Sequence, residues 1–278
     1  MSAEDPSFVE AMLWIVQEDL DTQNRRGDLL GALERLGIPF LAVKVSRNKI
    51  EPDVPDDGRK IITNGSIMLS NIARERGWSP GSRLNESFNY EVWADKYQDM
   101  ILNKGASVSS LRDAKMEGLS AFARPILDNK SFNGRVFSRE EFAKMQSDSL
   151  SGAPGSPSPD MKILLSVPKM IGQEHRHYIV DGEIVSSSRY KLAGRPNFQE
   201  GADERVLRVV RQAIARWVPA RAFVLDTYIA GDEVGIMEVG CICHAGLYEA
   251  DIMRLASSLD ALQGPAVAAM AAKPKIGR

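Results

Sequence analysis

Two apolar runs late in the chain, within FVLDTYIAGDEVGIMEVGCICHAGLY (residues 223–248), limit the fold more than any other stretch. They read as a pair of neighbouring strands. Each nevertheless carries one carboxylate, Asp226 in the first run and Glu238 in the second. Alternation places Val224, Asp226 and Tyr228 on one face of the first strand and groups Ile236 with Glu238 on one face of the second, so the two acids can converge. An ionised carboxylate in an apolar strand is costly without a cation or hydrogen-bond donors. Adjacent strands that each present an acid, with a glycine-containing loop directly after, suit a hard cation, and Mg²⁺ holding nucleotide phosphates is the commonest such use. The same spacing fits a plainer arrangement, with Asp226 paired to an arginine at a strand edge and Glu238 facing solvent.

The first third alternates strands and helices. AMLWIV (11–16) reads as a buried strand; Leu29, Leu33 and Leu36 recur at helical spacing before Gly37, a C-terminal cap; and IPFLAVKV (38–45) reads as the next strand. This order predicts a right-handed crossover in a parallel sheet. KIITNGSIMLSNIARERGW (60–78) repeats the theme, with a turn at Asn64, Gly65 and Ser66 that starts a helix and, less commonly, seats an anion. Further on, AFARPILDNKSFNGRVFSREEFAKM (121–145) holds a short strand ending at Pro125, a polar loop with Lys130 and Gly134, and a helix whose Ser138 and Glu141 form a capping box. QSDSLSGAPGSPSPD (146–160) is rich in Ser, Pro and Gly and predicts a flexible surface loop. KILLSVPK (162–169) and HRHYIVDGEIVSSSRYK (175–191) follow as strands, the second a hairpin turning at Asp181 and Gly182. Asp203 starts a helix carrying Val206, Val210, Ala213, Ile214 and Trp217, and a last helix shows Ile252, Leu255, Leu259 and Leu262 on one face. The terminal KPKIGR is expected to fray.

Composition narrows the classes. A chain of 278 residues with 44% hydrophobic content can bury a sizeable core, as one large domain or as two or three packed lobes. The 35 basic and 37 acidic residues leave a net charge of -2 with no dense basic run, which disfavours nucleic acid as a partner. The start, MSAEDPSFVE, lacks the pattern of a signal peptide and no apolar run has bilayer length, so a cytoplasmic location and no membrane partner are expected. Cys241 and Cys243 lie two apart and read as thiols rather than a disulfide. With His175, His177 and His244 they make up every cysteine and histidine of the chain, which leaves a tetrahedral Zn²⁺ site as a rival metal reading.

Residues 226–248 resemble the C-terminal signature of ATP-grasp proteins, in which an Asp and then a Glu on neighbouring strands bind the Mg²⁺ of Mg-ATP, and HAGLYEAD (244–251) resembles the run that follows that Glu in one branch. FARPILDNKSFNGRVF (122–137) is similar to the strand and phosphate flap, with Arg124-Pro125 where most members have Lys-Pro. That arginine points to the clade named for one arginine and two lysines. GQEHRHYIVDGEIVSSSRYK (172–191) resembles the segment after the adenine hinge. One departure is plain: many members follow the Glu with an Asn that shares the metal, and here that position is Gly240.

The resemblance, covering residues 121–262, implies an α/β fold of ATP-grasp type. An N-terminal α/β lobe (1–110) would precede two grasp lobes (111–278) that clasp the nucleotide, with the flexible loop at 146–160 inside them. It implies ATP and Mg²⁺ as cofactors and Asp226 and Glu238 as metal ligands. Arg124 and Lys130 would meet phosphates, SVPK (166–169) with Lys169 would form the adenine hinge, Glu174 would lie near the ribose, and Arg189 and Lys191 near the same cleft. Arg176 would steady the transferred phosphoryl group or pair with one of the acids, and Ser187, Ser188 and Tyr190 would approach substrate. The implied activity is an ATP-dependent carboxylate–amine ligase acting through an acyl-phosphate on a small molecule or a peptide; the alternative is a Mg-ATP-binding protein without turnover.

Overall fold

The computed structural model describes residues 12–20, 25–46, 49–55, 57–127 and 132–262. The chain opens with β1 (Leu13–Gln17), α1 (Arg26–Leu36), β2 (Phe40–Ser46), β3 (Lys49–Glu51), β4 (Ile61–Asn64), α2 (Ile67–Glu75) and β5 (Pro80–Gly81). Its five strands lie in the order β3-β2-β1-β4-β5, and β1 pairs in parallel with both β2 and β4, as the strand and helix alternation predicts. Every residue of β1 is buried, as a central parallel strand covered on both faces requires. Gly37 closes α1 in the left-handed conformation and Ser66 caps α2 by accepting from Leu69 N at 3.3 Å.

α3 (Tyr90–Tyr97) carries the buried Tyr90, Trp93 and Tyr97 into the main core. β6 (Ser107–Ser110), β7 (Ser120–Pro125), β8 (Arg135–Ser138), α4 (Arg139–Leu150) and β9 (Lys162–Ser166) then build an antiparallel sheet ordered β6-β9-β7-β8, with its own core around Leu111, Phe137, Phe142, Ile163 and Leu165. The capping box of Ser138 and Glu141 is present at the start of α4. That helix runs to Leu150, so the first five residues of the expected loop at 146–160 are helical. Phe142 and the side chain of Ser149, which donates to Pro157 O at 2.8 Å, anchor it where composition alone signals only polarity.

The remainder forms an antiparallel sheet ordered β12-β11-β10-β13-β14, from β10 (Gln173–Val180), β11 (Glu183–Leu192), β12 (Arg195–Glu200), β13 (Ala222–Ala230) and β14 (Glu233–Gly240). α5 (Glu204–Arg216) packs on one face, capped by Asp203, and α6 (Ile252–Asp260) completes the structure. The β10–β11 hairpin turns at Asp181 and Gly182, both with positive φ, as the Asp-Gly pair predicts. The largest core cluster joins this sheet and α6 to the first sheet through Trp14, Leu29, Leu33 and Ile62, and Trp14 Nε1 donates to Asp260 Oδ1 at 3.0 Å. Among the described residues no helix is long and apolar enough to cross a membrane.

Candidate active site

A cleft of about 630 Å³ opens between the four-stranded sheet and the β10–β14 sheet. β7 contributes Arg124, the loop before β8 contributes Gly134, and β14 contributes Glu238. Gly134 lies so close to β7 that an added Cβ would stand 3.0 Å from Arg124 Cβ and 3.2 Å from Phe122 Cζ, so a larger residue here would push these side chains aside by a few tenths of an ångström. The extended connection after β9 contributes Val167, Lys169 and Ile171, and β10 and β11 contribute Glu174, Tyr190 and Lys191.

Asp226 and Glu238 are direct register partners across β13 and β14, so the two acids stand side by side. A bulge makes this possible. Thr227 pairs with Ile236 while Asp226 pairs with Glu238, which leaves Met237 as an extra residue and breaks the alternation of β14. The expectation that Ile236 and Glu238 share a face is therefore corrected: Ile236 is fully buried in the core, and Met237 and Glu238 both line the cleft. A second bulge acts the same way in β11. Glu174 pairs with Lys191 and His175 with Arg189, so Tyr190 is the extra residue; Tyr190 and Lys191 line the cleft, and Arg189 turns away to donate to Asn197 Oδ1 and Gln199 Oε1, each at 2.6 Å. The expected place of Arg189 beside the cleft is corrected accordingly.

Each acid is held by one arginine. Arg176 donates to Asp226 through two parallel bonds, Nε to Oδ1 at 2.8 Å and Nη2 to Oδ2 at 2.7 Å, a fork geometry that fixes both side chains. This pair is nearly buried, with side-chain exposures of 14% and 4%; burial opposes the Arg176 charge, but the Asp226 carboxylate outweighs it and keeps the guanidinium protonated. Arg124 Nη2 donates to Glu238 Oε1 at 2.8 Å, closer to solvent. Lys191 pairs with Glu174 at 3.2 Å, and Lys169 lies 3.5 Å from Glu233.

Of the residues singled out in the sequence, Arg124, Lys169, Glu174, Lys191 and Glu238 line one cleft, Arg176 and Asp226 lie beside it, and Lys130 falls outside the described residues. The reading of Asp226 paired with an arginine holds together with the convergence of the acids. Sequence reasoning misses the aromatic cover over Arg176. Tyr190 and Tyr248 stack at 4.9 Å, Phe198 stacks on Tyr248 at 5.6 Å, and the Arg176 guanidinium lies 5.7 and 5.1 Å from the two tyrosine rings. Tyr248 sits at φ 44°, with its carbonyl taken by Arg25 Nη1 at 2.5 Å; burial, then Asp226, raises the Tyr190 hydroxyl well above its ordinary pKa. Three residues so far apart in sequence carry no local signal of such a stack.

The serines of β11 serve the structure. Ser187 bonds His177, Ser188 Oγ accepts from Glu249 N and Ser186 Oγ accepts from Asp251 N, which docks the loop before α6. The Zn²⁺ reading also meets other uses of its residues. His177 is enclosed between Ser187 Oγ at 2.8 Å and Thr227 Oγ1 at 2.9 Å, the Cys241 thiol donates to Ser82 O at 2.8 Å, and His244 bonds Ser70. Burial holds His177 down to about 3 and His175 down to about 4, the latter with help from Arg189. Among the described residues no group of three or more His, Cys, Asp or Glu is set to hold a metal; Asp226 and Glu238 are a pair of adjacent carboxylates.

Two antiparallel sheets enclosing a cleft whose acids and arginines face each other define an ATP-grasp fold. The RimK domain protein ATP-grasp from Sphaerobacter thermophilus DSM 20745 is similar, with a TM-score of 0.60 at 12% identity over 90% of this chain and 100% of that one. D-alanine–D-alanine ligase from Bacillus anthracis gives a TM-score of 0.56 at 10% identity over 90% and 92%. The ATP-grasp ligase PsnB complexed with minimal precursor gives 0.53 at 12% identity over 92% and 100%. The chain belongs to an ATP-grasp domain family, the third of the clade named for one arginine and two lysines, whose model matches residues 43–259. No curated protein matches it by sequence.

Proposed function

We propose that the protein is an ATP-dependent ligase that converts a carboxylate to an acyl-phosphate and joins it to an amine. The observation that carries this reading is the side-by-side pair of Asp226 and Glu238, each bonded to an arginine, at a cleft between two sheets. Two carboxylates of this kind fit Mg²⁺, which when bound would shield the charge of the nucleotide phosphates. Arg124 would turn from Glu238 to a phosphate oxygen, and Lys169 and Lys191 add positive charge along the same wall. Arg176, covered by Tyr190 and Tyr248, is kept charged and aimed by Asp226, and would meet the phosphoryl group carried by the substrate carboxylate. An amine then attacks the acyl carbon, phosphate leaves, and the amine loses a proton; positioning and charge carry the chemistry, with no protein nucleophile.

The joined substrates are read as small molecules or peptides. Structural neighbours include a D-alanine–D-alanine ligase complexed with ATP and a PsnB ligase complexed with a precursor peptide and AMPPNP, which supports both sizes of acceptor. We further read residues 1–110 as the N-terminal lobe and 111–278 as the grasp lobes, and the two buried thiols, Cys241 and Cys243, support work in the cytoplasm.

Calorimetric titration of ATP with Mg²⁺ into wild type and Glu238→Ala tests the proposal. Micromolar affinity, on the order of -8 kcal/mol, that falls at least tenfold in the variant is expected. Absence of nucleotide binding by the wild type overturns it. Gly240, where many ATP-grasp proteins have Asn, favours a second reading as a Mg-ATP-binding protein without turnover; binding with no ADP release across carboxylate and amine panels would select that one.

A further inference from the structure

One polar side chain at the cleft has no role in the phosphate chemistry. Asn103 is 9% exposed and lies in the turn before β6. Its place is fixed on both sides: Leu102 N donates to Ile236 O at 2.7 Å, Ala106 N donates to Asn103 O at 3.0 Å, and Ser166 Oγ, at the end of β9, donates to Asn103 Oδ1 at 3.0 Å. The segment thus bridges the two sheets that form the cleft, since Ile236 belongs to β14 and Ser166 to β9.

With Oδ1 engaged, the amide Nδ2 is the free end of the side chain, and it donates to no group among the described residues. Nδ2 is not sealed away from solvent, so it can exchange a water for an acceptor on a ligand while Ser166 holds the other end of the amide. Asn103 lines the cleft beside Leu102, Val167 and Ile171, and Val167 is left 82% exposed on the connection after β9. A donor held in place in a cleft that also carries these apolar side chains suits a flat heteroaromatic ring that offers an in-plane acceptor nitrogen.

We propose that Asn103 reads the nucleotide base by donating Nδ2 to a ring nitrogen of adenine, with Ser166 as the positioning residue that holds the amide in that sense. This rests on the nucleotide-binding reading of the cleft and adds a base contact to it. Asn103→Asp inverts the sense of the contact, because a carboxylate only accepts.

The test is equilibrium binding of Mg-ATP and of Mg-ribose 5-triphosphate, which lacks the base, to wild type, Asn103→Asp, Asn103→Leu and Ser166→Ala, with melting temperatures as a check of folding. ATP affinity is expected to fall about tenfold in Asn103→Leu, further in Asn103→Asp and a few-fold in Ser166→Ala, while ribose triphosphate affinity stays within about twofold. Unchanged ATP affinity in both Asn103 variants overturns the inference and leaves the ligase reading intact. An equal loss for both ligands also overturns it, since the residue then acts on the whole cleft. Failure of the wild type to bind either ligand brings down the nucleotide reading itself.

Discussion

The neutral histidines on the α5 face of the β10–β14 sheet make the protein acid-labile in a way that one substitution isolates. His175 is buried with its Nδ1 unpartnered among the described residues, and burial, then Arg189, lowers its pKa to about 4. In the unfolded chain the same ring titrates near about 6.5. Below that value the unfolded chain takes up a proton that the folded protein refuses, so stability is full at higher pH and declines as pH falls from about 6.5 towards the folded value of about 4. At pH 5 the cost is RT ln(1 + 10^1.5), about 2 kcal/mol for this one ring. His177, lowered to about 3, adds a similar amount. His175→Leu, close in volume, removes the first contribution and the unpaired nitrogen while leaving His177 between its two hydroxyls. Urea unfolding of wild type and variant at about pH 7.5 and about pH 5 measures the difference, with the acidic side chains common to both proteins cancelling. The variant should lose about 2 kcal/mol less than wild type between the two conditions. Parallel losses, within about 0.5 kcal/mol, would refute the argument that the ring is held neutral by burial.

Three further outcomes follow from the site and its supports. Asp226→Ala strands Arg176 in a nearly buried place and should cost about 3–5 kcal/mol in chemical unfolding, whereas Asp226→Asn, which keeps an acceptor, should cost less. Gly235→Ala places a Cβ 2.6 Å from Met100 O and 2.9 Å from Tyr228 Cε1, where backbone must yield, and should lower stability by about 1–3 kcal/mol, read as a lower melting temperature. Gly240→Asn meets only Val224 Cγ2 at 3.4 Å, so the variant should fold normally and reach half-maximal nucleotide binding at a lower Mg²⁺ concentration; an unchanged Mg²⁺ titration would count against a metal role for this position.

Much of the fold is legible in the sequence because its elements carry local signals. Gly37, Ser66, Ser138 and Asp203 mark helix ends where capping chemistry demands them, and Asp181-Gly182 fixes a hairpin through its positive φ angles. That Asp226 and Glu238 sit on neighbouring strands is legible from the two apolar runs, whereas their direct pairing depends on the bulge in β14. What escapes is whatever depends on a partner strand. The extra residues Met237 and Tyr190 look like ordinary members of an alternating run, yet each reverses the face of the residues beyond it, which sends Ile236 and Arg189 away from the cleft. The pairing of β6 with β9 and the helical end of α4 likewise depend on contacts that composition does not encode.

The two arginine–carboxylate pairs have a consequence for what the resting cleft admits. Their formal charges cancel within each pair, so the positive excess of the cleft comes from Arg135, Lys169 and Lys191 rather than from these arginines. A bare divalent ion would face two guanidinium groups, and a bare polyphosphate two carboxylates. A ligand bearing both signs, metal and phosphates together, satisfies all four side chains in one event. On the proposed reading, the cleft favours the assembled complex over its separate components.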